Sequence, residues 1–445
     1  MRTKELELNI EDIEYPSVGI AYHNERKIKI KNTLPGQKVL AKVAKGKGRI
    51  IEIKERAQQE ITPLCPVFEQ CGGCTYQNIN YELELQIKEK VVLDHFEGVP
   101  FKYLGIEGTE KTGYRNKMEY SFGDKEKDGE LNLGLRKRNS YYETVNTNKC
   151  NIVTRDFLHI LFLVQGYFRR KGDNFYHRGS HEGSLRHLVI RKGKHTNQIL
   201  LNLVTTSGFD NSELPELVDM IIKHVWIQNE VVGFLHTVND SVADVVQSDN
   251  QTVVYGQDYY TDTLFDLKFN ISPFAFFQTN TTGAERLYTI VKEFVQTCEN
   301  TDTILDLYCG TGTIGQVLSP LAKTVVGIDL VKEAIEVANE NTKLNNITNC
   351  KFIAGDVKDV IDEVEVTPNV IVVDPPREGL HPKALKKLIE IGCDDIIYVS
   401  CKPTSLARDV AVFSEHGYEL VQMKLLDMFP RTAHVEAVAK LRKKK

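Results

Sequence analysis

A multidomain α/β chain is predicted, with an N-terminal OB-like β-barrel over residues 1–58, a central α+β unit over 59–270 and a C-terminal Rossmann-like unit over 271–445. Three observations predict it. Short alternations of apolar and charged residues, punctuated by turn residues, fill the first 58 positions. A tight group of cysteines then opens the middle of the chain. Near position 303 an apolar run enters the glycine-rich turn Asp306-Leu-Tyr-Cys-Gly-Thr-Gly-Thr-Ile-Gly315, and a helix-like segment follows.

In the first unit, Lys27-Ile-Lys-Ile-Lys31 alternates with a period of two. A Pro35-Gly36 turn leads into Lys38-Val-Leu-Ala-Lys42 and then Arg49-Ile-Ile-Glu-Ile-Lys54. The net charge of −5 hides a segregation: between 26 and 56 eleven Lys or Arg face two acids, leaving 45 bases against 59 acids elsewhere. A small barrel with lysines on one face suits a positive groove for single-stranded nucleic acid. Edge lysines equally serve to keep strands from pairing with other chains.

Next comes Cys65-Pro-Val-Phe-Glu-Gln-Cys71-Gly-Gly-Cys74, three thiols in a turn-rich stretch where Gly72-Gly73 lets the backbone fold around a centre. Cys150 is the candidate fourth ligand, because Cys298, Cys309, Cys350, Cys393 and Cys401 fall in the downstream unit. Spacing alone fits zinc and an iron–sulfur cluster equally. Residues 77–97 read as a packing helix, with Leu83, Ile87 and Val91 at helical spacing and Glu84 set to pair with Lys88. From 112 to 270, strand-like and turn-like stretches alternate, including 185–191 and 198–204.

The C-terminal unit carries the chemistry. Glycines at 310, 312 and 315 allow a backbone to approach a ligand closely, and the following apolar run ends in Asp329, placed to accept from ribose hydroxyls. That pattern fits NAD, FAD and S-adenosylmethionine alike. Further buried-type strands run into Asp374-Pro-Pro-Arg377 and into Ser400-Cys401-Lys402-Pro403. In an open α/β sheet, ligands bind beyond the carboxyl ends of the strands, where Asp329, Asp374 and Cys401 all fall.

Apolar content of 41% is ordinary, and no apolar run approaches the length of a membrane span. The start, Met1-Arg-Thr-Lys-Glu-Leu-Glu, lacks a signal-peptide core, so a cytoplasmic protein is expected. Nine cysteines in such a chain argue against a disulfide scaffold and for metal binding or thiol chemistry.

Residues 271–445 resemble the catalytic domain of RNA 5-methyluridine (uracil-C5) methyltransferases, and the whole chain is similar to the 23S ribosomal RNA branch of that family. The resemblance rests on Phe277-Gln278-Thr279-Asn280, Asp306-Leu-Tyr-Cys-Gly310, Asp374-Pro-Pro-Arg377, Ser400-Cys401 and His434-Val-Glu436, in that order. It implies a TRAM domain, an OB-like RNA-binding module, at the N-terminus. It also implies a [4Fe-4S] cluster on Cys65, Cys71, Cys74 and Cys150 in preference to zinc, and an S-adenosylmethionine pocket built from Gln278, Tyr308, Gly310, Asp329, Asp356 and Asp374. Cys401 becomes the nucleophile and Glu436 the base. The loop departs from the family in reading Gly-Thr-Gly-Thr-Ile where other members have Gly-Met-Gly-Asn-Phe, so one Asn contact to the cofactor is missing.

The residue types match the reaction. Carbon 5 of uracil is a poor nucleophile; a thiolate adding to carbon 6 makes an enolate whose carbon 5 attacks a sulfonium methyl. Cysteine is intrinsically nucleophilic, and Lys402 or a helix N-terminus is expected to favour its thiolate. The adduct then needs a base to take the carbon 5 proton, the role given to Glu436 in a strand-like stretch over 433–441. The expected partner is large-subunit ribosomal RNA, bound by a monomer with no membrane involved. The rival readings are a transfer-RNA uracil-5-methyltransferase, a cytosine methyltransferase and a non-catalytic RNA-binding protein. A cytosine enzyme usually pairs its nucleophile with a second cysteine after proline, and Asp374-Pro-Pro has no such thiol.

Overall fold

The computed structural model describes residues 3–124, 129–140, 142–227, 230–242, 250–361 and 367–444. Six strands, Lys4–Asn9, Asp12–Glu14, Val18–His23, Arg26–Lys31, Lys38–Ala44 and Lys47–Glu55, form one N-terminal sheet in the order first, fifth, sixth, fourth, third, second. The period-two pattern decides which face is buried: Ile28 and Ile30 enter a core with Leu8, Ala21, Val39 and Ala41, while the lysines between them face water.

The central sheet has seven strands, ordered Thr144–Asn146, Asn132–Arg136, Lys117–Gly123, Leu185–Lys192, Ile199–Thr205, Val231–Val238, Asn250–Gly256. Ile199–Thr205 and Val231–Val238 are its parallel pair, and helix Leu214–Ile222 supplies the crossover that a parallel connection needs. Helix Arg155–Lys171 lays Phe157, Ile160, Leu161, Val164 and Phe168 against Leu188, Ile190 and Leu201.

The C-terminal sheet has eight strands, ordered Cys350–Ala354, Thr324–Asp329, Thr303–Leu307, Val370–Val373, Asp395–Ser400, Glu436–Lys443, Tyr418–Asp427, Lys102–Gly108. The first five run parallel, and the chain reverses its direction of travel across the sheet between Thr303–Leu307 and Val370–Val373. Such a switch point opens a crevice at the carboxyl ends of the strands. Glu436–Lys443 runs antiparallel to both its neighbours.

Several elements cross the predicted partition, among them the hairpin of Tyr260–Leu264 and Leu267–Ile271, which straddles the boundary at 270. Lys102–Gly108, placed by sequence in the central unit, extends the C-terminal sheet by pairing parallel with Tyr418–Asp427. Val92 and Phe96, at the end of helix Tyr81–Leu93 and in the turn after it, join the same C-terminal core. The reason is that an open sheet edge exposes unpaired N–H and C=O groups, and a strand from upstream chain covers it. No helix among the described residues is long and apolar enough to cross a membrane.

Candidate active site

The glycine-rich turn is held from beneath. Asp306, fully buried in its strand, accepts the Gly315 N–H at 2.8 Å, which folds the loop back over the strand end. Burial pushes its carboxyl up to about 8. Gly312 has φ of 72°, and a Cβ there would lie 2.5 Å from the ring of Phe352, so the turn needs glycine on both counts. Tyr308 itself adopts φ of 62°, a conformation uncommon for a bulky residue.

Beyond the strand ends lies a cavity of about 1100 Å³. Tyr308, Gly310, Asp329, Asp356 and Asp374 line it, with Phe274, Phe276, Leu330 and Val331 as apolar wall. Gln278 sits in a small adjoining pocket that shares Tyr308, Gly310 and Asp374 with the cavity. The six residues predicted for the cofactor therefore converge on one place. Asp329 accepts N–H groups from Gly310 and Val331, each at 2.9 Å, so its carboxylate is fixed at the cavity edge. Asp356 caps the turn Val357–Val360 and is paired with the Lys358 ammonium, which holds its carboxyl below the usual carboxylate value.

Cys401 follows the strand Asp395–Ser400, where Ser400 closes a tight turn by bonding both the N–H (3.2 Å) and the C=O (3.1 Å) of Lys402. The antiparallel register pairs Ser400 with Ala437, which sets Cys401 and Glu436 side by side at the same end of neighbouring strands. Burial, then the charges of Glu436 and Asp374, push the thiol up to about 11, while Arg377 pulls the other way. The expected lowering by Lys402 is not found. A half-buried thiol facing two carboxyls is held protonated, and the cation that opposes this is Arg377.

Glu436 is only 6% exposed, and burial followed by the Asp374 charge raises its carboxyl to about 8. Asp374 itself is raised to about 7 by burial. Two acids whose ordinary values lie near 4 are thus brought close to neutrality beside a thiol, as happens where a site needs proton exchange at physiological pH. Three neighbours had no role assigned from sequence. Arg377 faces the thiol and lies 3.4 Å from the His434 ring, whose basicity burial and Arg377 reduce to about 4. Tyr15, from the N-terminal sheet region, donates its hydroxyl to the Cys401 carbonyl at 3.4 Å. Arg377 and His434 were flagged by the motifs that contain them, whereas nothing local marks Tyr15.

The four upstream cysteines also gather. Cys65, Cys71 and Cys150 are buried, Cys74 is half-buried, and all are free thiols. Burial raises Cys74 to about 12 and Cys150 to about 11, and each is pushed further by the thiols of Cys65 and Cys71. Arg138 braces the stretch by donating to the carbonyls of Cys71 (3.4 Å) and Cys74 (2.6 Å). Among the described residues, no group of three or more His, Cys, Asp or Glu side chains is arranged to hold a metal ion.

Comparison with known proteins agrees with this geometry. The sequence pattern of tRNA (uracil-5-)-methyltransferases matches residues 222–444. An uncharacterized RNA methyltransferase of Clostridium tetani is 49% identical over 99% of this chain and 98% of its own. Another, of Clostridium acetobutylicum, is 50% identical over 98% of this chain and 97% of its own. Among solved structures, the Pyrococcus abyssi tRNA (uracil-54, C5)-methyltransferase in complex with S-adenosyl-L-homocysteine superposes with a TM-score of 0.78 at 27% identity, covering 98% of this chain and 99% of that one. The chain belongs to the tRNA (uracil-5-)-methyltransferase family of S-adenosylmethionine-dependent RNA methyltransferases.

Proposed function

We propose that this protein methylates carbon 5 of a uridine through a covalent bond between Cys401 and carbon 6 of the base. The observation that carries the reading is the convergence of Cys401, Glu436, Asp374 and Arg377 beside the cavity that Asp329 and Asp356 line. The cavity fits S-adenosylmethionine: apolar walls for the adenine, the fixed carboxylate of Asp329 for the ribose hydroxyls, and Asp356 for the adenine amine. Bound there, it supplies an electrophilic methyl group on a sulfonium.

The target base must leave its stack to reach the thiol. Cys401 loses its proton to the Asp374 carboxylate, raised to about 7, which leaves the Glu436 carboxylate free for the later step, and Arg377 stabilises the thiolate. Addition of sulfur to carbon 6 places electron density on carbon 5, which takes the methyl group. Glu436, ionised, then removes the carbon 5 proton; the C–H pair restores the ring double bond and the C–S pair returns to sulfur. Tyr308 and Gly310, which line both the cavity and the small pocket, and Gln278, which lines the small pocket, are assigned to the cofactor.

The RNA is assigned as 23S ribosomal RNA, from the resemblance of the whole chain, and the protein as a monomer. The N-terminal sheet is assigned as a TRAM-type RNA-binding domain: a groove of about 780 Å³ between it and the cysteine segment has Lys29, Lys31, Arg49, Arg56 and Arg138 in its walls. Cys65, Cys71, Cys74 and Cys150 are assigned to a [4Fe-4S] cluster. The donor set of four thiols, with no histidine among them, supports this. Iron, sulfide and zinc content of the purified protein tests it. Transfer RNA is the second reading. It is favoured by the coverage of nearly the whole chain by a transfer-RNA enzyme, which removes the N-terminal region as a discriminator.

The test is to incubate the protein and labelled S-adenosylmethionine with total RNA from a strain lacking it, then separate the RNAs and analyse nucleosides. Label in 5-methyluridine of 23S RNA is expected. Label in transfer RNA selects the second reading, and label in another nucleoside contradicts both.

A further inference from the structure

Glu436 begins its strand at the end of an irregular loop, 428–435, in which Arg431 makes several bonds to the segment after Cys74. Arg431 has φ of 70°, a left-handed conformation unusual for a long side chain, so surrounding contacts must hold it there. Its carbonyl accepts the N–H of Thr75 (2.6 Å) and of Tyr76 (3.1 Å), the two residues directly after Cys74. Its own N–H donates to Glu84 at 2.6 Å, and its guanidinium donates to Glu84 (3.2 Å) and to the carbonyls of Tyr76 (3.3 Å) and Ile79 (3.0 Å). Glu84 is in turn paired with buried Lys88, which also holds Asp427 at 2.7 Å.

The loop around Arg431 is also braced as far as His434, two residues before the base. Thr432 accepts from the His434 N–H (3.2 Å) and donates to the Phe429 carbonyl (2.7 Å), while the Tyr114 hydroxyl holds the Pro430 carbonyl at 2.9 Å. A loop tied at this density moves as a unit, so displacement at 431 is passed to 436.

We propose that Arg431 is a positioning residue for Glu436, the joint through which the segment after Cys74 fixes the loop that carries the base. Its loss slows removal of the carbon 5 proton, and hence release of the enzyme from methylated RNA, without slowing formation of the Cys401 adduct. The proton passes from carbon 5 to the Glu436 carboxylate, the C–H electron pair forms the C5–C6 double bond, and the C–S pair leaves with sulfur as thiolate. This inference rests on the assignments of Cys401 and Glu436 above and deepens them.

The experiment follows two rates in a single turnover on undermodified RNA: appearance of protein–RNA adduct resistant to denaturation, and its disappearance into free methylated RNA. Glu436→Gln is the control and should trap the methylated adduct. For Arg431→Ala, formation should stay within about twofold of the parent while release falls about 100-fold, the scale on which small misplacements of catalytic groups act. Removing the guanidinium leaves Lys88 alone against Glu84 and Asp427, so Arg431→Lys, which keeps the charge without the fork, is measured in parallel. It should lie between the parent and Arg431→Ala, and it decides the matter alone if Arg431→Ala does not fold. Release at the parent rate, or formation and release falling together, would overturn the inference while a trapped Glu436→Gln adduct leaves the base assignment standing. Absence of a trapped adduct in Glu436→Gln would overturn both.

Discussion

The cofactor cavity and the nucleophile pocket share Asp374 and are built in opposite ways. The first comes from strand ends within one stretch of chain, where Asp329 is the last residue of its strand and Asp374 and Asp356 lie one and two residues past theirs. The second joins Cys401 to Glu436 through the register of the last strand, with the Arg377 charge acting on both and Tyr15 reaching in from the far end of the chain. A contiguous strand–loop–helix unit tolerates change elsewhere in the protein. A pocket made of distant segments depends on how those segments dock.

If that contrast is right, substitutions in the two halves separate kinetically. The largest effect is expected for Cys401→Ala, which should lower methylation at least about 10³-fold while leaving the KM for S-adenosylmethionine unchanged. A parallel loss of cofactor binding, seen by calorimetry, would break the separation. Asp329→Ala should do the reverse, raising the KM for the cofactor about 10- to 100-fold, the cost of hydrogen bonds to a charged group, with a smaller change in kcat. Gly312→Ala probes the loop itself. The clash with Phe352 and the positive φ should cost about 1–3 kcal/mol in denaturant unfolding and weaken cofactor binding with it.

The smallest effects are in pH, and they bear on the shared carboxyls. Turnover should rise with pH through about 7 to 8 as Asp374 and Glu436 ionise. Stability should move the other way. Asp306, Asp374 and Glu436 are raised above their unfolded values, so the unfolded chain binds fewer protons and stability falls as pH rises from about 4 to about 8. The slope is at most about 1.4 kcal/mol per pH unit for each group. Thermal unfolding of Glu436→Gln against the parent should show the variant gaining at pH 8 and not at pH 4.

The same contrast explains what the sequence revealed. Period-two alternation placed Ile28 and Ile30 inward, and the apolar runs at 303–307, 324–328 and 370–373 became adjacent parallel strands, because these patterns are local. Gly310, Asp329 and Asp356 were expected at the cavity from the same local patterns, whereas Gln278 and Asp374 were assigned to the cofactor only through the family resemblance. Arg431 and Tyr15 were not legible, since their importance lies in contacts to residues 347 and 386 positions away. Nor was the edge strand Lys102–Gly108, to which no element was assigned from sequence and whose partner Tyr418–Asp427 lies far along the chain. The thiol's raised value escaped for a different reason: Lys402 is adjacent in sequence, but burial and two carboxyls act through space.

The central claim is that one sulfur forms the bond to RNA, and peptide mapping of the denatured adduct tests it most directly. Protein incubated with undermodified RNA and S-adenosylmethionine, digested with protease and nuclease, should yield a nucleotide-bearing peptide whose added mass maps to Cys401. Mass on a different thiol, such as Cys309 in the cofactor loop, or an unmodified Cys401 peptide under conditions of active methylation would contradict the account.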